Sequence, residues 1–186
     1  MQEELEKLFK ECINELKNGG ISMEEIGEIQ VRISNRSKKR YGCCKQEEPD
    51  KSTRYRENHT VKYAKYNKHI IEISSWVMQL NVDIIKNTIM HEIIHCMPYC
   101  NNHGEEFKQY AKLINNRLGY NITTVGNREE DYKKSNLEFK EQEKYKYKIE
   151  CKTCGQVFYR QRISKNFTRK YLCGNCKGKF TVTFLQ

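Results

Sequence analysis

His91-Glu92-Ile93-Ile94-His95, with His103 eight residues further on, restricts this chain more than any other feature. Four residues advance an α-helix by about 400°, so the imidazoles of His91 and His95 lie within about 40° of each other on one face and reach the same ion. Glu92 sits one position round. In an H-E-x-x-H site such a glutamate is not a ligand. It takes a proton from the zinc-bound water, whose pKa the ion lowers from about 15.7 to near 7. The surrounding residues suit a helix buried beneath an active site: Ile84, Ile85, Thr88 and Ile89 lead into the motif, and Pro98 stops the helix soon after His95.

A catalytic zinc takes three protein ligands and keeps one position open. His103 is the third candidate. It follows the turn-like segment Pro98-Tyr99-Cys100-Asn101-Asn102 and precedes Gly104-Glu105-Glu106-Phe107, where a new helix begins. Glu105 and Glu106 are rival oxygen ligands. Cys96 and Cys100 are rival thiolates, but sulfur suits a structural site better, so both read as reduced, packed residues. The sequence does not reveal an oxyanion-stabilising group: only proximity in sequence brings Tyr99 and Tyr120 forward, and it favours neither.

The run His91-Glu92-Ile93-Ile94-His95 with His103-Gly104-Glu105-Glu106-Phe107 resembles the SprT-like (Spartan-type) zinc metallopeptidase family. Its pattern is H-E-x-x-H, a short variable insert, then H-G-x-x-F. A strand ending in Ile-Ser, here Ile70 to Ser75, precedes the metal helix in that family too, and the resemblance spans residues 1–125. It implies that His91, His95 and His103 bind the catalytic zinc and that Glu92 is the catalytic base. It also implies a zinc ribbon after the peptidase domain, and proteolysis of DNA-bound or DNA-crosslinked proteins. The metzincin pattern fits worse, since it requires Gly where this chain has Pro98.

Cys151-x-x-Cys154 and Cys173-x-x-Cys176 are separated by eighteen residues, within the range for a four-thiolate structural zinc. Gly155 and Gly174 are expected to supply the tight turns that let the thiolates converge. The flanks alternate as strands do, through Tyr145, Tyr147 and Ile149, Val157 and Tyr159, then Phe180, Val182 and Phe184. A β zinc ribbon over 145–186 follows, and so small a unit draws much of its folding free energy from the metal. A pair of disulfides or a redox dithiol is the alternative. Five further cysteines and no signal peptide favour a reducing compartment instead.

The net charge of +10 is concentrated at one end. Residues 145–186 hold ten Lys or Arg against the single acid Glu150, with Arg160, Arg162, Lys165, Arg169 and Lys170 between the cysteine pairs. A phosphate backbone, single-stranded or duplex DNA, is the natural partner. Tyr159, Phe167 and Tyr171 interleave with these charges and suit stacking on unpaired bases, while a merely solvated basic face explains the pattern equally well. No apolar run approaches the ~20 residues that span a bilayer, and the N-terminus lacks a signal-peptide layout. The expectation is an intracellular protein without a membrane partner.

Leu5, Leu8, Phe9, Cys12, Ile13 and Leu16 give a first helix that ends at Asn18-Gly19-Gly20. Ile29, Val31 and Ile33 mark a half-buried strand. Residues 35–53 read as a loop or hairpin in which Lys38-Lys39-Arg40 is a second phosphate contact or a solvated run. Tyr55 to Ser74 suggests two strands, the second with an exposed edge for an extended peptide. Phe107, Tyr110, Ala111, Ile114 and Leu118 mark a helix closing at Gly119, and residues 126–144 are charged enough for a linker. The fold class is α+β: a small zincin-like peptidase domain over 1–125, its few-stranded sheet packed on helices that carry H-E-x-x-H, then the ribbon. The implied function is a zinc-dependent endopeptidase of protein substrates with one catalytic and one structural Zn²⁺. A non-enzymatic zinc-containing adaptor for nucleic acid or protein is the alternative.

Overall fold

The computed structural model describes residues 1–139 and 145–185. It divides into two compact units, Met1–Glu138 and Phe139–Gln186. Among the described residues no helix is long and apolar enough to cross a membrane.

In the first unit, α1 (Gln2–Asn18) buries Leu5, Leu8, Cys12 and Leu16, one side chain per turn along a single face. Gly20 at φ 68° then reverses the chain, and Ile21 N–H bonds the Leu16 carbonyl to close the helix end. The sheet has three strands, β1 (Glu28–Ser34), β2 (Gly42–Pro49) and β5 (Tyr66–Ser74), in the order β1-β5-β2. β1 runs parallel to β5, pairing Ile29 with His69 and Ile33 with Ile73; β2 runs antiparallel, pairing Gly42 with Ile73 and Gln46 with His69. Between β2 and β5, β3 (Arg54–Glu57) and β4 (Thr60–Tyr63) form a hairpin of their own.

α2 (Val82–Ile94) is capped by Asn81, whose side chain accepts the Asp83 N–H, and it lies in the middle of the core. Ile85, Ile89, Met90, Ile93 and Ile94 are almost wholly buried against Ile71, Ile73, Leu5 and Leu16. Burial of each such side chain contributes about 1.5–3 kcal/mol. The histidines therefore ride on a rigid helix. α3 (Glu105–Leu118) ends at Gly119, whose φ of 72° is the left-handed conformation expected of a helix-terminating glycine.

Three expectations need correction. Residues 42–49 are a strand. Gly-Cys-Cys-Lys-Gln-Glu-Glu lacks the aliphatic alternation that announces one, and it is held by its ladder to β5 and by Cys44, whose Sγ lies 3.6 Å from that of Cys96. β5 consequently has a strand on both sides and no free edge; among the described residues the free edge beside α2 belongs to β2. The stretch read as a linker begins with α4 (Arg128–Lys134), which belongs to the first unit. Asn127 caps it by accepting the Glu130 N–H, Tyr132 stacks on Trp76 at 5.9 Å, and Tyr41 donates its hydroxyl to Asp131. Of that linker, residues 140–144 lie outside the described residues.

On the sheet face away from α2, Glu72 is 8% exposed and gathers Lys45, Arg32 and Arg40. The Lys45 ammonium and the Arg32 guanidinium hold its carboxyl below the usual carboxylate range. Arg40 thus has an internal partner, while Lys38 and Lys39 are exposed.

In the second unit, β6 (Tyr147–Cys151) is central, with β7 (Val157–Arg160) and β8 (Phe180–Phe184) antiparallel on either side. A single-turn helix, α5 (Phe167–Lys170), precedes the second cysteine pair. Ile149, Cys151, Cys173 and Phe180 are its buried apolar residues, with Phe158 and Phe167 packed against them.

Candidate active site

α2 brings His91 and His95 to one face, and the turn after Pro98 returns His103 to them at the start of α3. Their Nε2 atoms converge: His103 Nε2 lies 2.9 Å from that of His91 and 3.2 Å from that of His95. Ligands about 2.0–2.1 Å from a tetrahedral zinc stand about 3.4 Å apart, so these nitrogens are within a few tenths of an ångström of the required spacing. The tautomers agree. His91 Nδ1 faces the Thr123 carbonyl at 3.0 Å and His95 Nδ1 faces the Cys100 carbonyl at 2.7 Å. A carbonyl only accepts, so each Nδ1 carries the proton and each Nε2 presents a bare lone pair inward. Burial, and then the neighbouring rings of His95 and His103, push the His91 imidazole down to about 4; burial also lowers His95. Both are neutral at pH 7, as ligation requires. The donor set fits zinc.

Among the described residues these three histidines form one of two groups whose ligand atoms lie within 4.8 Å of one another. Glu105, Glu106, Cys96 and Cys100 are not in it. Cys96 and Cys100 are buried in the core. Phe107 supplies the floor. Its ring centroid is 4.7–4.8 Å from those of all three histidines, and it is fully buried, so the rings rest on one rigid apolar surface. The sequence places Phe107 on the apolar stripe of α3 and as the Phe of H-G-x-x-F, without a role; its place four residues after His103, one helical turn on, is the signal for this floor.

Glu92 is 5% exposed and lines the same cavity of about 250 Å³, together with Gly42, Cys43, Cys44, Gln46 and Asn101. Burial pushes its carboxyl up to about 8, opposed by the Cys44 backbone N–H and the positive charge of Arg40. Gly42 makes room for it. A Cβ at that position would stand 2.6 Å from Glu92 Oε1 and 2.8 Å from its Cγ, so any side chain there displaces the carboxylate. No sequence pattern marked Gly42, because the approach is between a strand and a helix distant in the chain. If Glu92 is a reacting group, Gly42→Ala should lower turnover about 10²-fold, the cost of misplacing such a group by an ångström, with the metal stoichiometry of the histidine site unchanged. Full activity in that variant would mean that Glu92 has room to move.

The tyrosines considered for oxyanion stabilisation are elsewhere. Tyr120 donates its hydroxyl to Glu15, on α1. Tyr99, at φ 61°, is exposed and pairs with Tyr55, and it does not line the cavity.

The second ligand group is Cys151, Cys154, Cys173 and Cys176. Sγ atoms lie 3.4 Å apart between Cys151 and Cys176 and 3.6 Å apart between Cys154 and Cys173. The two C-x-x-C loops fold alike, with Cys151 N–H bonding the Gln156 carbonyl and Cys173 N–H bonding the Gly178 carbonyl. Gly155 has the expected positive φ of 70°, but Gly174 does not share that role. The equivalent position after Cys176 is Lys177, at φ 60°. The Cys154 backbone N–H pulls the Cys151 thiol down to about 6, and the Cys176 N–H lowers Cys173 in the same way.

All five basic candidates on this unit are exposed, but only Arg160 and Arg162 line its cavity of about 780 Å³, beside Phe158, Phe167 and Tyr171. Lys165, Arg169 and Lys170 do not. Tyr159 is directed to Tyr145, with ring centroids 5.6 Å apart.

Helices, sheet and histidines together put the first unit in the class of α+β domains built around a three-histidine centre. The profile of the SprT-like family matches residues 5–126, and the chain belongs to that family. It is 30% identical over 118 residues to "Protein SprT-like" of Oceanobacillus iheyensis, covering 60% of this chain and 67% of that protein. It is 49% identical over 39 residues to "Protein SprT-like" of Lactococcus lactis subsp. lactis, covering 21% of this chain and 25% of that one. The chain thus spans a quarter of one relative and two thirds of the other. The cysteine unit lies beyond the residues that the family profile matches.

Proposed function

We propose that the protein is a zinc-dependent endopeptidase that cleaves proteins in extended or locally unfolded form, and that its basic ribbon directs it to proteins on nucleic acid, DNA-crosslinked ones included. The observation that carries the reading is the convergence of three Nε2 atoms, two of them fixed as bare lone pairs, beside a buried glutamate in one cavity. Zinc, when bound, supplies Lewis acidity toward water and toward the scissile carbonyl. His91, His95 and His103 hold it, and the Thr123 and Cys100 carbonyls fix the tautomers of the first two. Glu92 takes the proton of the attacking water and returns it to the leaving amine, a task suited to a buried carboxyl held in the wall of the same cavity.

Among the described residues β2 has no strand on its outer side, and that edge, whose residues Gly42, Cys44 and Gln46 line the cavity and whose Cys44 N–H is given to Glu92, suits an extended substrate adding as a further strand. Such binding asks little of substrate side chains. On the ribbon, Arg160 and Arg162 beside Phe158, Phe167 and Tyr171 suit a phosphate backbone and an unstacked base. The test is proteolysis of a DNA-binding protein by zinc-loaded protein, with and without single-stranded DNA. Cleavage should require zinc, and DNA stimulation should shrink steeply as salt rises. No cleavage of any unfolded protein at full zinc occupancy would end the peptidase reading, and a salt-independent rate would end the nucleic-acid part.

A further inference from the structure

One wall of the cavity is a relay of side-chain amides whose orientation has no ambiguity. Gln46, on β2, uses Nε2 twice: it donates to the His95 carbonyl at 3.1 Å and to Asn101 Oδ1 at 2.7 Å. Asn101 then donates from Nδ2 to the Tyr63 carbonyl at 3.2 Å. Backbone carbonyls stand at both ends and only accept, so neither amide can be flipped without facing oxygen against oxygen.

Each Nδ2 or Nε2 carries two hydrogens. Both of Gln46's are engaged, whereas Asn101 uses one, and no partner among the described residues takes the other. The Asn101 side chain is thus fixed at two atoms, half-buried, and left with a single N–H donor in the wall that it shares with Glu92 and the three histidines. A preoriented donor in a partly desolvated cleft suits a carbonyl oxygen better than it suits water, because its ordering has already been completed by the fold.

We propose that Asn101 is a substrate-binding residue: its free amide N–H takes a backbone carbonyl of the extended peptide lying in the cleft, and Gln46 positions it. This rests on the peptidase reading above. A backbone contact of this kind anchors any sequence equally, which matches binding along the edge of β2.

The experiment uses the zinc-loaded full chain carrying Glu92→Gln, so that an unstructured peptide mapped as a substrate of the parent binds without being cleaved. Its Kd is measured by fluorescence anisotropy, with and without Asn101→Ala or Asn101→Asp. The aspartate keeps the shape and an acceptor for Gln46 but has no N–H to give, either to a peptide or to the Tyr63 carbonyl. Both should weaken peptide binding about 5- to 10-fold, the effect of one lost hydrogen bond, at unchanged zinc stoichiometry. In the otherwise native enzyme both should raise KM and leave kcat nearly constant. Unchanged peptide affinity in both variants would overturn the assignment. So would loss of zinc, which would make Asn101 a support for the metal loop, or a fall in kcat alone, which would make it an oxyanion donor. If the zinc-loaded parent, with Asn101 intact, yields no cleaved peptide to map, the peptidase reading itself fails.

Discussion

Glu92→Gln is expected to keep zinc at the histidine site and to lower kcat/KM for protein cleavage by about 10²–10⁴-fold, the usual contribution of a positioned general base. The separation of the two effects follows from geometry. Glu92 belongs to the cavity wall and not to the group of converging ligand atoms, and the tautomers of His91 and His95 are fixed by Thr123 and Cys100 without its help. Glutamine fills the same volume under Gly42 and accepts the same Cys44 N–H, so the backbone has no reason to move. What it lacks is a basic oxygen. Zinc stoichiometry and steady-state kinetics on the same preparation check both halves, and undiminished cleavage would remove Glu92 from the mechanism.

The same variant has a second readout in metal-stripped protein. Burial raises the folded-state pKa of Glu92 to about 8, against about 4.3 in an unfolded chain. The folded protein therefore keeps a proton that the unfolded chain has lost. The stability this carries is fully present below about pH 4 and is lost as pH rises through 8. His91 and His95, both lowered, add stability as pH rises to about 6.5 and oppose this in either protein, so the Glu92 component is read as a difference: the melting temperature of the metal-stripped parent relative to that of Glu92→Gln should fall between pH 5 and pH 8. Parallel melting curves for the two proteins across this range would show that the carboxylate is solvated.

The histidine centre was legible in the sequence because helical periodicity converts a four-residue spacing directly into geometry, and because Pro98 and Gly104 force His103 back toward the helix it follows. The apolar faces of α1, α2 and α3 were legible for the same reason. What escaped was built by contacts between distant segments. Residues 42–49 become a strand only because β5 offers a ladder, and strand formation depends more on neighbours than on the strand's own residues. The loss of a free edge on β5 follows from that one omission. Tyr120 is close to the metal loop in sequence, yet its hydroxyl is held by Glu15 on α1. In the cysteine unit, Gly174 was given a turn that Lys177 makes. The error came from counting from the first cysteine of the pair, whereas the left-handed residue follows the second.

Stripping metal from the reduced full chain should unfold residues 147–184 and leave the first unit folded. The reason is the size of the second core. Its buried apolar residues are Ile149, Phe180 and two of the cysteines themselves, with Phe158 and Phe167 only partly covered. Nothing of that extent offsets the conformational entropy of some forty residues, which at about 1–2 kcal/mol each exceeds what two large side chains return. Structural zinc in small cysteine sites contributes about 10–16 kcal/mol at pH 7. The backbone favours two of the four thiolates, since the Cys154 and Cys176 N–H groups lower Cys151 and Cys173, while Cys154 is raised among its neighbouring thiols. The first unit has no such dependence, since Leu5, Leu16, Ile71, Ile73, Ile89 and Phe107 form a continuous core. Amide spectra of chelated protein should therefore show the resonances of 147–184 collapsing toward random-coil positions while those of 5–126 stay dispersed, and added zinc should restore them. Cys151→Ser should reproduce the collapse without chelator. A ribbon that stays dispersed after chelation, with its thiols kept reduced, would mean that strand pairing alone holds β6, β7 and β8 together.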